Sequence, residues 1–495
     1  MRLFQKGGWA IAIRPRWILR STLFAAILLG AVAPGVALGA GSSATPQPGG
    51  NVTTSAHGIT TLDPVAPGAS ATNNGISAEI LGGLFSTSGI GAATIQPELA
   101  TAYRFSRQGR SITITLRKGV RFSDGTPFNS RAVIWNLRRT ATSNAYDAAL
   151  LATVAKMTPS GSNDVTIAFS TPNYSFIQTC ATSAICDMAS PSAYARLGAS
   201  AFAAAPVGAG PFRVVSADAA QVTLARNPTY WDARHVYLAH WTIVDLGDDP
   251  NSSYQSLIQD SIQGVAFDGI WTAPAVLFQA KRNHNLTTRS TPNMNYGFLP
   301  LNVSKPPFSD QRAREALDFC TNRTAIAKNI SSNYATPAYV LAGASSAYLP
   351  KPGGVRGAET LMPYKNDSVQ GSLLVATLGG LSFQMDVASG TQSEAVANAL
   401  ATQWLGCGIH AQVVIESRAQ LNAVISSGTY QAAYLIVPGT TNPTSSIALQ
   451  APASPLTTFS DPRLAALFQS LSATDSPSKL TSLWHQIWFQ ENTDA

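Results

Sequence analysis

Alternating apolar and polar residues in the first half of the chain predict a strand, a turn and a helix in succession. Ser111–Leu116 (SITITL) alternates isoleucine and leucine with polar residues, which is the period of a half-buried strand. Turn-forming residues follow at 123–127, and Asn129 or Ser130 then stands where a helix cap is expected. Further along, 207–231 predicts a pair of strands that ends at an Asn-Pro dipeptide.

The second half of the chain has a different pattern, in which short apolar runs alternate with helical periodicity. We interpret the runs as a β-α-β-α-β series, and this order favours a mainly parallel sheet. The predicted elements are, in order, strand Leu373–Leu378, helix Ser393–Leu405, strand Ala411–Ile415, helix Ala419–Ser426 and strand Tyr430–Val437.

The N-terminal segment has the pattern of a secretory signal peptide. Residues 1–40 hold five cations and no acid, and an apolar run at 21–33 is followed by small residues. The run is shorter than the ~20 residues of a comfortable membrane span. We expect cleavage after Gly39 or Ala40, with an uncleaved anchor as the alternative. Residues 41–56, rich in Gly, Ser, Thr and Pro, predict a flexible lead-in.

Removing this segment changes the interpretation of the charge. The formal net charge is +7, and 7 − 5 leaves +2 once the five cations of residues 1–40 are gone. Charged residues make up only 12% of the chain, against 45% hydrophobic residues, which is typical of a packed globular protein. The composition therefore gives no support to a nucleic-acid partner.

Four cysteines in an exported chain suggest disulfides. Cys180 with Cys186 would close a short loop and Cys320 with Cys407 a long one, but four cysteines permit three pairings and free thiols remain an alternative. The spacings do not match a zinc site.

Sequence motifs of catalysis are absent, so we predict no enzyme activity, cofactor or metal. The basic stretch 116–128, LRKGVRFSDGTPF, lacks the spacing of a phosphate loop, and we expect Arg117, Lys118 and Arg121 to be solvated. Ser476 and Lys479 match S-x-x-K, but a serine before a helix is more simply an N-cap.

Aromatic residues in Gly- and Pro-rich surroundings are the candidate ligand platforms. Trp271 precedes Pro274, and Tyr296 and Phe298 precede Leu301. Such rings can stack on a ligand, although packing in the core or at its rim is the alternative for each.

Several motifs in the correct order together resemble the extracellular solute-binding proteins, family 5, of peptide/nickel-type ABC importers. The basic stretch 116–128, extended to residue 137 (LRKGVRFSDGTPFNSRAVIWNL), resembles the best-known signature of that family. The other matching segments are 61–64 (TLDP), 97–100 (PELA), 206–212 (PVGAGPF), 226–231 (RNPTYW) and 306–323 (PPFSDQRAREALDFCTNR).

The resemblance implies an α/β, two-lobed periplasmic-binding-protein-like fold (type II, cluster C) with an extra subdomain in the first lobe. After the signal peptide at 1–40, lobe one would hold 41–85 and 201–300, with the inserted subdomain at 86–200. Lobe two would hold 301–474, and 475–495 would return to lobe one, a return that the brief C-terminus leaves incomplete. Cys320 and Cys407 would then share a lobe, which makes their pairing easier.

One departure from the family pattern concerns the ligand. Many peptide-binding members carry an acid in a W-x-x-D-Y-x-D-P segment of lobe two, where it pairs with a peptide's ammonium group. The matching segment here, Leu435–Pro443 (LIVPGTTNP), has no acid, and Thr441 and Asn442 stand in its place as candidate ligand-binding residues. Since a buried ammonium without a carboxylate is costly, we expect an uncharged or differently oriented ligand.

The resemblance therefore implies a periplasmic or extracellular protein that captures a peptide-like ligand in a cleft between lobes. It would act as a monomer and deliver the ligand to an ABC permease in the inner membrane. Two other functions stay open at this point: a secreted hydrolase on a two-lobed scaffold, and a ligand sensor that acts on a receptor.

Overall fold

The fold is that of an α/β protein, described from a computed structural model. The structure describes residues 9–13, 47–56, 58–66, 69, 71–87, 94–143, 148, 150–247, 250–267, 274–288, 295–331, 335–343, 346, 348–350, 357–437 and 461–494. Among these residues, no helix is both long and apolar enough to cross a membrane.

The strands of the described residues are numbered in chain order. They are β1 Trp9–Ile13, β2 Asn51–Ala56, β3 Phe85–Thr87, β4 Ile95–Pro97, β5 Ala100–Phe105, β6 Ser111–Leu116, β7 Val154–Ser160, β8 Asp164–Phe169, β9 Phe212–Ala217, β10 Gln221–Arg226, β11 His240–Asp245, β12 Gly264–Phe267, β13 Leu286–Thr288, β14 Tyr296–Phe298, β15 Leu381–Ala388, β16 Ile409–Glu416 and β17 Ala432–Val437.

The helices are numbered in the same way. They are α1 Ala71–Leu81, α2 Ser130–Ala141, α3 Phe176–Thr182, α4 Pro191–Ala204, α5 Pro250–Ile258, α6 Pro274–Arg282, α7 Gln311–Phe319, α8 Arg323–Ser331, α9 Ser368–Thr377, α10 Thr391–Leu405, α11 Arg418–Ser426, α12 Pro462–Ser472 and α13 Pro477–Thr493.

A mixed seven-stranded sheet forms the first lobe, in the order β13-β1-β12-β2-β11-β10-β9. Strands β11 and β12 run parallel to β2, whereas β1 is antiparallel to both β12 and β13. Trp241 and Ile243 of β11 pack with α1 on one face, and Val244 packs with α5 and α6 on the other. The sheet therefore has a core on both faces.

Strand β1 lies inside the segment that the sequence marks as a signal peptide. Its backbone fills the position between β12 and β13, which are not paired with each other. Export with cleavage after Gly39 or Ala40 would remove this strand from the sheet.

The subdomain is an antiparallel sheet in the order β5-β6-β8-β7, covered by α2 and α3. The strand–turn–helix prediction for the residues from Ser111 to the start of α2 is confirmed: β6 spans the predicted residues, and the Asn129 side chain caps α2 by accepting from the amides of Arg131 and Ala132. Phe122 and Phe128 are both buried and pack edge to face.

One part of the prediction for this stretch is wrong. Lys118 and Arg121 are exposed, and Arg121 donates to the carbonyl of Gly125, whereas Arg117 is half-buried. Its guanidinium carbon lies 3.6 Å from the centre of the Trp231 ring, and its Nε donates to the Glu98 carbonyl. Stacking on a tryptophan from a turn more than 100 residues away is not visible in local sequence.

The second lobe contains a sheet in the order β14-β17-β15-β16. Strand β15 is parallel to β16 and β17, and β14 is antiparallel to β17, so the parallel sheet predicted for this half of the chain is confirmed. Helices α7, α9 and α10 cover one face of this sheet, and α11 covers the other.

The predicted strand at Leu373–Leu378 is wrong, because these residues lie in and just after α9. The Asp367 side chain caps this helix by accepting from the amides of Val369 and Gln370. The strand is instead β15, whose alternating burial at Leu381, Phe383, Met385 and Val387 the sequence reading missed. The other four elements of the series lie within two residues of their predicted bounds.

The last two helices, α12 and α13, pack on each other around Trp484 and Trp488. This cluster includes Val340, Leu349 and Ala358, and Arg314 of α7 donates to the carbonyl of Asp494. In these contacts, residues 475–494 meet residues that the predicted division of the chain assigns to lobe two. Strand β14, predicted at the end of lobe one, also pairs with the second-lobe sheet.

Candidate ligand-binding cleft

The carboxyl ends of parallel strands mark the two edges where a ligand is expected. Strands β2, β11 and β12 run in one direction, and so do β15, β16 and β17. In open α/β sheets, ligands bind in the crevice outside these carboxyl ends, where the loops diverge. The loops that follow these six strands are therefore the candidate walls of a cleft between the two lobes.

Asp245 organises the first-lobe wall, since it is the last residue of β11. Its carboxylate accepts from the amide of Ile59, in the loop after β2, and from the amide of Gly247, each at 2.9 Å. The Asp245 carboxylate thus joins two neighbouring loops, because each of its oxygens accepts a hydrogen bond from a backbone amide.

Three of the five predicted ligand-binding residues lie outside the described residues. Trp271 comes four residues after the end of β12 in the sequence, and Thr441 and Asn442 come four and five residues after the end of β17. In the sequence, each of them comes after a strand that runs parallel to a neighbour.

The other two predicted residues lie on β14, where the chain crosses from the first lobe to the second. Tyr296 is 6% exposed and Phe298 is half-buried. Between them, Gly297 allows a close approach, because a Cβ atom there would lie only 2.3 Å from the Tyr434 hydroxyl. Burial raises the pKa of Tyr434 to about 12, so this phenol is neutral at physiological pH.

Two carboxylates stand on the α11 face of the second-lobe sheet, near the carboxyl ends of β15 and β16. Burial raises the pKa of Asp386, against the effect of a hydrogen bond from Gln384. Burial, and then the charge of Asp386, raise the pKa of Glu416. Sequence reasoning missed both acids, because their burial depends on α11 packing over them.

The family-like motifs build the frame of the first lobe. Asp63, of the TLDP segment, receives two hydrogen bonds from the Arg139 guanidinium of α2, at 2.7 and 3.0 Å. Arg139 also lies near the rings of Trp135, Tyr194 and Phe202, and both charged groups are nearly removed from solvent. This ion pair fastens the first lobe to the subdomain.

The glycines of the 206–212 segment have a steric role. A Cβ atom on Gly208 would lie 2.3 Å from the Leu81 Cα, and one on Gly210 would lie 2.5 Å from the Glu79 carbonyl oxygen. The amides of Ala209 and Gly210 bond to carbonyls at the end of α1, and the Asn227 side chain donates to the Gly210 carbonyl. These residues hold backbone against backbone.

Other residues singled out by the sequence have structural partners. Cys180 is bonded to Cys186 and Cys320 to Cys407. Ser476 stands at the predicted N-cap position of α13, but its side chain makes no hydrogen bond to the first amides of the helix. No cluster of three metal-ligating side chains is found among the described residues.

These features define a class: a two-lobed α/β binding protein with a crossover strand between lobes and a subdomain in the first. Residues 94–452 match the model of the bacterial extracellular solute-binding proteins, family 5, and the chain belongs to that family. Its fold is that of solved two-lobed periplasmic binding proteins.

Individual relatives agree with this assignment. The chain is 28% identical over 284 residues to the glutathione-binding protein GsiB of Escherichia coli, covering 57% of this chain and 52% of GsiB. It thus spans about half the length of the curated relatives it matches. DppA from Helicobacter pylori, solved with the peptide STSA, superposes with a TM-score of 0.79 at 16% identity, covering 91% of this chain and 92% of DppA.

A further solved structure extends the range of ligands among the neighbours. AgaA from A. tumefaciens R10, solved with agropinic acid, has a TM-score of 0.74 at 19% identity over 90% of each chain. At these identities the structures establish the shared fold, and the fold alone.

Proposed function

We propose that this chain is the exported solute-binding component of an ABC importer, which captures a small ligand between its lobes and delivers it to a permease. The observation that carries this proposal is the family match over residues 94–452 on a chain with the matching two-lobed fold. The relatives are binding proteins, which favours this function over a secreted hydrolase or a receptor-directed sensor.

The mechanism needs no chemical step, and we infer that the chain is not an enzyme. A ligand bound at the strand ends of one lobe offers a surface that the other lobe can contact. The ligand therefore binds the closed state more tightly than the open state, and this difference in affinity drives closure. The crossover residues around β14 would absorb the rotation, and the closed form would be the one that a permease recognises.

The ligand we propose is peptide-like and lacks a free ammonium group held by the second lobe. The segment 435–443 supplies no acid at the position where many family members hold the peptide amine. An ammonium group buried there would lose its hydration without a compensating charge. Thr441 and Asn442 supply neutral hydrogen-bonding groups instead, suited to a peptide carbonyl or amide.

Aromatic stacking would supply the apolar part of the site. We propose Trp271 from the first-lobe edge, and Phe298 with Tyr296 at the crossover, as the rings that contact the ligand. Substituting Trp271→Ala should weaken binding about tenfold or more without changing the unfolding midpoint of the unliganded protein. Phe278→Ala, an exposed ring on α6, is the matched control and should leave affinity unchanged.

The proposed ligand chemistry is tested with matched peptides. Thermal-shift screening of short peptides first identifies a sequence that raises the unfolding temperature, since a ligand that binds only the folded state stabilises it. Calorimetry then compares that peptide with its N-acetylated form. We expect equal or tighter binding of the acetylated peptide. Tight binding of the free peptide that disappears on acetylation contradicts the proposal.

Export is proposed from the N-terminal pattern, with the mature protein in the periplasm or outside the cell. N-terminal sequencing of the exported protein should find Ala40 or Gly41 as the first residue. Cleavage removes β1, so the amides of β12 and β13 that face it should exchange faster in the mature chain than in the precursor. Export of the intact chain, starting at Met1, contradicts the signal-peptide prediction.

The partner we propose is an ABC permease in the inner membrane, met by a monomer of this chain. The monomeric state follows the mechanism, in which each protein carries its own cleft. Light scattering of the purified protein at micromolar concentration should give the mass of a single chain, and a stable dimer contradicts this part of the proposal.

A further inference from the structure

A backbone hydrogen bond joins the subdomain to the second lobe. The amide of Tyr174, between β8 and α3, donates to the carbonyl of Ser472, the last residue of α12, at 3.1 Å. These residues are about 300 positions apart in the chain and belong to different sheets and cores. The bond exists only when the subdomain and the second lobe lie close together.

The donor is held rigidly by its own subdomain. The Tyr174 hydroxyl donates to the Arg107 carbonyl at 3.0 Å, and the preceding Asn173 amide donates to the Gly109 carbonyl at 2.9 Å. Gly109 provides the space, because a Cβ atom there would lie 2.5 Å from the Tyr174 ring. The Cys180–Cys186 disulfide then fixes α3, which begins two residues after Tyr174.

The acceptor is rigid as well, and it needs a partner. The last carbonyls of an α-helix have no donor within the helix, and Ser472 is the last residue of α12. Leu471, beside it, is buried in the cluster with Trp484 and Trp488, so the end of the helix is fixed in the second lobe. The Tyr174 amide therefore caps a helix of the other lobe.

We propose that the Tyr174–Ser472 hydrogen bond is a closure latch, through which the subdomain stabilises the closed arrangement of the two lobes. The subdomain then has a role apart from the ligand: it sets how often the empty protein closes. The inference rests on the lobe motion of the proposed function, but it holds for any ligand. Opening the cleft would break the bond and return both groups to water.

The test uses a pair of variants at one position. Tyr174→Pro removes the ring and the amide hydrogen, whereas Tyr174→Ala removes the ring and keeps the amide hydrogen. Spin labels at Lys156→Cys on β7 and Lys479→Cys on α13, both exposed, report the distance between subdomain and second lobe. Since the native cysteines of the described residues are disulfide-bonded, the labels attach only at the new thiols.

We expect the proline variant to shift the ratio of open to closed molecules about fivefold toward open, relative to the alanine variant, as one hydrogen bond allows. Identical distance distributions for the two variants would overturn the latch. The distance measurement needs no ligand, so identical distributions would overturn the latch and leave the proposed function standing. If every ligand screen failed, the distances would still show whether the hydrogen bond favours the closed arrangement.

A second measurement needs no substitution and covers the case in which the proline variant does not fold. The neighbouring amides of Asn173 and Tyr174 bond inside the subdomain and across the lobes, respectively. In the unliganded protein, hydrogen exchange at Tyr174 should be at least tenfold faster than at Asn173, because lobe opening exposes only the former. Equal rates would show a permanent contact and overturn the proposal.

Discussion

At the scale of single residues, the ion pair between Asp63 and Arg139 is a buried charged interaction that the sequence did not reveal. The pair is bidentate and almost fully desolvated. Removing one partner of such a pair leaves a buried charge without compensation, at a cost of about 3–5 kcal/mol. We expect Asp63→Asn to lower the free energy of unfolding by about 3 kcal/mol in urea denaturation.

The control for this prediction is an exposed pair on α7. Arg312 bonds to Asp310 at the surface, so Arg312→Met should leave the unfolding midpoint unchanged. The double variant Asp63→Asn/Arg139→Met should recover part of the loss, since it removes the stranded guanidinium. If Asp63→Asn is as stable as the unaltered chain, the assignment of the TLDP segment to a structural role is wrong.

A buried carboxylate gives a pH dependence. No described residue donates a hydrogen bond to either carboxylate oxygen of Glu491 in α13, and burial raises the pKa of this group well above the ordinary value of 4.5. The folded state therefore binds the proton more tightly than the unfolded state does. The stability that this tighter proton binding adds to the folded state is fully present below pH 4.5. It is lost as the pH rises through the raised pKa of the folded state.

The matching variant is Glu491→Gln, which stays neutral at every pH. Its melting temperature should equal that of the unaltered chain near pH 4 and exceed it by an increasing margin as the pH rises from 5 to 8. Calorimetric scans of both proteins over this range measure the difference. A margin that shrinks with rising pH would mean that a cation pairs with Glu491.

At the scale of elements, the two disulfides differ in the loops that they close. Cys180 and Cys186 are 6 positions apart, and Cys320 and Cys407 are 87 apart. In the chain-entropy model these closures contribute about 2 and about 4–5 kcal/mol. The Cys320–Cys407 disulfide also joins the end of α7 to the end of α10. Gly371 of α9 leaves room for this disulfide, since a Cβ atom on Gly371 would lie 2.2 Å from the Cys320 sulfur.

We therefore expect Cys320→Ala/Cys407→Ala to destabilise the second lobe more than Cys180→Ala/Cys186→Ala destabilises the subdomain. Urea unfolding followed by hydrogen exchange, which resolves the lobes, measures both losses. The reverse order of the two losses would show that native-state strain, rather than loop closure, decides the effect.

The same scale shows why sequence patterns predicted some elements and missed others. Strand β6 alternates cleanly because one face packs on the subdomain core, and α2 has a capping asparagine. Helix α9 misled the prediction because its sequence, SVQGSLLVAT, is apolar without helical periodicity. Strand β15 is buried on both faces near its end, where Asp386 interrupts the apolar pattern.

At the scale of the whole molecule, the sequence motifs predicted the residues that hold the fold together better than the residues that bind the ligand. Asp63, Gly208 and Asn227 make contacts between segments far apart in sequence, so their spacing is characteristic of the fold. Among the candidate ligand-binding residues, Trp271, Thr441 and Asn442 lie outside the described residues, and Tyr296 and Phe298 lie on β14. The Arg117–Trp231 stacking and the latch needed three-dimensional structure, because no local pattern encodes a partner in another element.

The central claim is that this chain holds a small, peptide-like ligand in a cleft between its lobes. Native mass spectrometry of the protein, purified from its host without refolding, tests it most directly. We predict a 1:1 complex that releases an uncharged, peptide-like molecule of low mass on mild activation and re-forms when that molecule is added back. Protein that carries no small molecule, and that none of a broad peptide library binds or stabilises, would contradict the claim.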